Sequence, residues 1–159
     1  MQSPDFDAIV IGAGFSGLGM LRSLRDDHGF KVKVFETGTG VGGTWYWNRY
    51  PGARCDSESY IYCFSFSDEL LQDWNWSGKY PEQPEILSYL EHVADRFDLK
   101  RDIQFETKVT AAHYHSATNL WHIETDAGDR VTARYLITGI GCIACLLYTS
   151  PSPRDSIAS

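Results

Sequence analysis

The sequence predicts an α/β fold organised on a parallel sheet, and four features of its first forty residues carry that expectation. An apolar run, Ala8-Ile9-Val10-Ile11, is followed directly by the glycine-rich stretch Gly12-Ala13-Gly14-Phe15-Ser16-Gly17 and then by the helix-like stretch Leu18 to Leu24. A second apolar run, Val32-Lys33-Val34-Phe35, ends in Glu36. Read as strand 7–11, helix 15–27 and strand 31–36, these make a βαβ unit, whose crossover leaves the two strands parallel.

Residues 12–17 spell G-x-G-x-x-G, and each glycine has a physical task. Gly12 permits the tight turn, Gly14 lets a diphosphate approach the main chain, and Gly17 lets helix and strand pack closely. Free N–H groups at the helix N-terminus can then face the phosphates. Glu36 stands near the separation at which an acidic residue meets ribose hydroxyls. Its charge repels a 2′-phosphate, so this site is expected to take the adenosine of FAD or NAD and not of NADP.

Regularity then lapses. Eleven of the twenty-two aromatic residues fall between Trp45 and Tyr80, among scattered Gly, Pro, Ser and Asp. That stretch is too apolar for a solvated linker; its rings are expected to cover the sheet edge, with a few walling a flat aromatic cofactor. After Pro81-Glu82-Gln83-Pro84, the spacing of Ile86, Leu87, Leu90, Val93, Ala94 and Phe97 predicts an amphipathic helix, with proline and acids suited to its first turn. Strand-like segments follow at 103–105, 108–115, 120–125 and 130–132, with turns at 116–119 and 126–129. They suggest a third parallel strand and then an antiparallel meander. The run Tyr135-Leu136-Ile137 leads to Thr138-Gly139 and back to the main sheet.

Composition narrows the function. The chain has 159 residues, room for one domain, and 43% hydrophobic content suits a globular core. A formal net charge of −7 without a Lys/Arg cluster argues against nucleic-acid and anionic-membrane surfaces. No apolar run reaches the length of a membrane span, and the first residues lack a basic leader, so a cytoplasmic location is expected. Free thiols follow for Cys55, Cys63, Cys142 and Cys145, although Cys142-Ile143-Ala144-Cys145 spells C-x-x-C. The histidines His92, His113, His115 and His122 show no metal-site spacing; His113 and His115 share one strand face, which suits solvent.

Gly43-Thr44-Trp45, four residues, Tyr50-Pro51-Gly52, three residues and Asp56 together resemble the N-terminal signature of the Baeyer–Villiger monooxygenases. The resemblance covers roughly residues 6–142 and takes in the glycine motif, Glu36, Pro84-Glu85-Ile86-Leu87 and Thr138-Gly139. It implies a Rossmann-like FAD-binding domain with a small antiparallel β-meander. It also implies NADPH as reductant, O2 and a ketone as substrates, and an ester or lactone as product. By position, Gly12, Gly14, Phe15, Ser16 and Gly17 would cradle the FAD diphosphate, with Glu36 on the adenosine ribose. Gly43, Thr44 and Trp45 would lie along the ribityl chain and flavin. Asp56 and Tyr62 would lie near the flavin ring, Asp56 helping to place an arginine of the family. Arg54 and Cys55, with Asp56, would face the nicotinamide side, and the main chain at Val109 would meet the adenine.

The family's second glycine motif, its linker histidine signature and its active-site arginine are not among these residues, which implies a truncated domain at 1–142. The Ser/Pro-rich stretch from Leu146 has no periodicity, so 143–159 is expected to be a non-native or disordered tail. Three alternatives stay open. A disulfide reductase needs a C-x-x-C beside the flavin, which the stretch after Gly43 lacks. An N- or S-oxygenating flavin monooxygenase would not be expected to carry the full Trp45–Asp56 pattern. A bare FAD-binding module would bind flavin without consuming NADPH. The particular ketone and the oligomeric state are open.

Overall fold

The computed structural model describes residues 3–141. The tail expected at 143–159 and the Cys142/Cys145 pair lie outside the described residues. The first strand, β1 (Phe6–Ile11), leads through Gly12 (φ +97°) into helix α1 (Phe15–Arg22), which continues as a π-helical turn over Ser23–Asp27. The helical stretch thus spans the expected 15–27, but its last turn is wider. Strand β2 (Val32–Phe35) follows, and then α2 (Thr44–Trp47), α3 (Asp68–Asp73) and α4 (Gln83–Arg96). A 3₁₀ turn at Lys100–Asp102 precedes β3 (Ile103–Gln104), β4 (Val109–His115), β5 (Leu120–Thr125) and β6 (Arg130–Thr138).

All six strands join one mixed sheet in the order β3-β2-β1-β6-β5-β4. β2 pairs parallel with β1 and with β3, as the βαβ reading requires. The meander corrects the sequence reading in one respect: the segments at 130–132 and 135–138 are a single strand. β6 runs antiparallel to β5 from Arg130 to Ala133 and parallel to β1 from Ala133 to Thr138. Ala133 is fully buried and pairs with both Trp121 and Phe6, so the handover between the two neighbours falls at this residue, whose side chain packs on the face of the sheet with Ile9 and Ile123.

Alternation along β1 divides the core in two. Ala8 and Val10 face α1 and α4, packing with Leu18, Leu21, Ile86, Leu90 and Val93. Ile9 points the other way, against Phe35, Ile123 and Ala133. The aromatic stretch does not cover the sheet edge as expected. Tyr62, Phe64, Phe66, Trp74 and Trp76 pack on the helical layer, because α1 and α4 present Phe15 and Tyr89 to them. Ser67 caps α3 by accepting the Leu70 N–H, a local signal that the irregular composition around it obscured. His113 and His115 are exposed, as their shared strand face suggested. Among the described residues no helix is long and apolar enough to cross a membrane.

The tightest constraint is at Gly17, where a Cβ would stand 1.8 Å from the Gly12 carbonyl oxygen. Gly17→Ala is expected to destabilise the chain by about 3 kcal/mol, through a backbone shift that β1 and β6 resist. Gly78→Ala, where a Cβ meets nothing within 4 Å, should change little. Urea unfolding midpoints of the two variants test the contrast.

Candidate cofactor site

The glycine motif lies at the carboxyl ends of β1 and β2, where open α/β sheets bind ligands. Three main-chain segments converge there. A Cβ on Gly12 would lie 2.7 Å from the Gly139 oxygen, and one on Gly139 would lie 3.1 Å from the Ile11 oxygen, so the return of β6 abuts the turn directly. From the other side comes the loop after β2: the Gly42 N–H donates to the Ala13 carbonyl at 3.0 Å. A Cβ on Gly43 (φ +54°) would be 2.8 Å from the Gly14 Cα, and one on Gly14 would be 3.3 Å from the Gly43 Cα. Gly14 therefore has a second task besides leaving room for a ligand, which is to let the Gly43-Thr44-Trp45 segment touch the turn.

Helix α1 begins at this junction with Gly14 as its N-cap, no side-chain cap and no acidic residue in its first turn. The first N–H groups of a helix have no partner within it. Those here are left to a ligand or solvent, in the positive field of the helix end. Ser16 is exposed beside them.

Glu36 stands next to the turn and is only 5% exposed. Its two carboxylate oxygens accept the N–H of Ala13 at 2.6 Å and of Gly38 at 2.7 Å. The carboxylate thus ties the glycine turn to the loop after β2. A carboxylate offers about four acceptor positions, so lone pairs remain for a diol. The Glu36 main chain is held by the third parallel strand: its N–H donates to Gln104 and its carbonyl accepts from Thr107, both at 2.9 Å. Val109 opens β4 two residues further on, half-buried against the second core cluster.

Beyond Gly43, the short helix α2 buries the Trp45 indole, 8% exposed. Its Nε1–H donates to the Tyr62 hydroxyl at 3.1 Å, and the Tyr62 ring meets the Phe15 ring edge-on at 4.8 Å. Burial raises the Tyr62 phenol, opposed by the bond from Trp45. Trp45, Tyr62 and the motif residue Phe15 therefore form one connected group. Gln83, at the start of α4, escaped the sequence reading. Its buried side chain donates to the Trp45 carbonyl and its N–H donates to the Ala53 carbonyl at 2.9 Å, bracing both ends of the signature. The Gln-Pro pair at a helix start was a signal for the helix alone.

The remaining predicted residues are more dispersed. Arg54 is exposed and ion-paired with Glu82 at 2.5 Å, and the two form an isolated antiparallel bridge. Cys55 is 4% exposed, its sulfur accepting the Ser57 N–H at 3.4 Å, so its thiol belongs to the core and offers a ligand no open surface. Asp56 and Thr44 are exposed.

Uncapped helix N–H groups, glycines that let main chain approach main chain, and an adjacent buried carboxylate define a dinucleotide-binding α/β domain. The chain matches the NAD(P)-binding Rossmann-like domain family over residues 10–75. It is 52% identical over 140 residues to a Baeyer–Villiger monooxygenase of Pseudooceanicola batsensis, covering 88% of this chain and 26% of that one. It is 45% identical over 150 residues to a phenazine N-monooxygenase of Lysobacter antibioticus, covering 94% of this chain and 28% of that one. The structure of an oxidised steroid monooxygenase bound to NADP superposes with a TM-score of 0.84 at 57% identity, over 86% of this chain and 26% of that one. The chain belongs to the Baeyer–Villiger monooxygenase family and spans about a quarter of the length of the curated relatives it matches.

The helical layer under the site carries a titratable ring. Tyr89 is 1% exposed, and burial pushes its phenol up to about 12, opposed by the bond its oxygen accepts from the Phe64 N–H at 2.8 Å. The folded state keeps a proton that the unfolded chain releases near the ordinary value of about 10. This contribution is complete below pH 10 and is lost as pH rises towards 12. Urea midpoints measured across pH 10 to 12 should fall less steeply for Tyr89→Phe than for the wild type.

Proposed function

We propose that this chain is the FAD-binding part of an NADPH-dependent flavoprotein monooxygenase that inserts one atom of O2 beside a ketone carbonyl, giving an ester or lactone. The observation that carries the reading is the junction at Ala13, where the uncapped start of α1 and the Glu36 carboxylate meet within a 2.6 Å hydrogen bond. That pairing suits a diphosphate followed by a ribose, because an anion needs the helix N–H groups while a diol needs an acceptor. FAD would supply the oxygen chemistry, reduced by NADPH.

In this reading the main chain at Gly12, Gly14, Phe15, Ser16 and Gly17 holds the diphosphate and Glu36 holds the adenosine ribose. Val109 borders the adenine. Gly43, Thr44 and Trp45 follow the ribityl chain, and the Trp45–Tyr62 pair backs the flavin ring and excludes water from one side of it. Asp56, exposed near Tyr62 in sequence, is free to orient an arginine supplied by a longer polypeptide. Arg54 serves the nicotinamide side through its charge, held by Glu82, while Cys55 contributes only as packing beneath it.

The Lysobacter relative supports a second reading, oxygenation at nitrogen. That relative is named an N-monooxygenase and is 45% identical over 94% of this chain, which keeps N-oxygenation beside ketone oxygenation as a reading. Conversion of cyclohexanone as against a phenazine by the full-length protein separates the two.

Two outcomes follow. Glu36→Ala removes charge-assisted bonds worth about 1.5–3 kcal/mol each and is expected to weaken FAD retention at least tenfold. Flavin co-eluting unchanged in gel filtration would remove Glu36 from the site. The 159-residue chain by itself, spanning a quarter of its relatives, is expected to form no lactone from cyclohexanone with NADPH and O2. Gas chromatography of the products tests this, and lactone above the no-protein control would refute it.

A further inference from the structure

We propose that Tyr46 is a positioning residue for the Glu36 carboxylate, acting through a clasp on Thr39 that fixes the loop after β2; the proposal rests on the reading of Glu36 as the ribose acceptor. Tyr46 projects from α2, on the far side of that loop. Its hydroxyl accepts the Thr39 N–H at 3.2 Å and shares a second hydrogen bond with Thr39 Oγ1 at 2.7 Å. The preceding peptide carries the Gly38 N–H that donates to Glu36 Oε1 at 2.7 Å. The direction of that N–H depends on how the Gly38–Thr39 peptide is held, by the Glu106 N–H on its carbonyl at 3.0 Å and by Tyr46 on its N–H.

Packing places the ring and the carboxylate side by side. A Cβ on Gly38 would stand 2.8 Å from Tyr46 Cε1 and 3.2 Å from Glu36 Oε1, so the two flank the same Cα. A Cβ on Gly40 would meet Tyr46 Cε2 at 3.4 Å. The Arg49 guanidinium lies 4.7 Å from the centre of the ring while its Nε donates to the Tyr46 carbonyl at 2.7 Å, which restrains a ring on the surface. The Glu36 main chain is anchored by Gln104 and Thr107, and outside the sheet the Gly38 carbonyl accepts the Glu106 N–H at 3.0 Å. The clasp adds a second restraint, on the N–H side of the same Gly38–Thr39 peptide.

The test is equilibrium dialysis of the full chain against FAD, up to millimolar concentration. Tyr46→Phe keeps the ring and removes both bonds of the clasp, and it should weaken FAD binding three- to tenfold, the loss expected when one hydrogen bond from Glu36 to the ribose is misplaced. Thr39→Val removes only the Oγ1 half of the clasp and should weaken binding no more than Tyr46→Phe does, and the double variant should be no weaker than Tyr46→Phe, which already removes both hydrogen bonds. In a Glu36→Ala background Tyr46→Phe should have no further effect. The Gly38 amide resonance should shift in Tyr46→Phe, while thermal midpoints report that the variants remain folded. Wild-type affinity in Tyr46→Phe, or effects of Tyr46→Phe and Glu36→Ala that multiply, would overturn the proposal. FAD binding that Glu36→Ala leaves unchanged, or a wild-type chain that binds no FAD, would overturn the ribose reading and this proposal with it. Binding that Glu36→Ala weakens and Tyr46→Phe does not would remove the clasp alone.

Discussion

A side chain at Gly17 would have to occupy the space of the Gly12 carbonyl, and much of the site depends on that exclusion. Because the first turn of α1 can lie against the end of β1, the helix N–H groups open at the carboxyl ends of β1 and β2 instead of being spaced away from them. The same closeness recurs at Gly139, where β6 meets the turn, and between Gly14 and Gly43, where the signature segment arrives. Main chain touching main chain at three points makes a floor of N–H groups with few side chains in the way. Such a floor can meet a ligand that is itself polar and extended.

The Glu36 carboxylate is the second organising element. Burying it is tolerable because both oxygens receive main-chain N–H groups, one from the turn and one from the loop beyond β2. It thereby joins two segments that the sheet holds only at their starts. Tyr46 and Thr39 brace one arm of this link, and Gln104 and Thr107 hold its base. A residue that sequence reasoning assigns to ligand recognition is thus also a structural tie, and the ligand would share an acceptor that the fold already uses.

The aromatic stretch divides into two populations. Trp45, Tyr62, Phe64, Trp74 and Trp76 are gathered against Phe15 and Tyr89 on the helical layer, whereas Trp47 and Tyr60 are 59% and 68% exposed. Composition gave both populations the same appearance. Their separation follows from which side of a loop faces α1 and α4, a direction that an irregular segment does not encode in any period.

The sequence by itself determined the βαβ unit, the amphipathic helix α4, the antiparallel pairing at the end of the chain and the positions of Gly12, Gly14, Gly17 and Glu36. Each rests on local rules: period-2 and period-3.6 burial, glycine where main chain needs freedom, an acid at the end of a strand. Tertiary structure alone decided that β6 is one strand shared between meander and parallel sheet, because the two main-chain edges of a strand pair with whichever strands lie beside them, here β5 on one edge and β1 on the other. It decided that Gly14 meets Gly43, that Gln83 braces Trp45 and Ala53, and that Cys55 turns inward. These contacts join segments far apart in the chain, and no local pattern records where a distant main-chain carbonyl or Cα will come to rest.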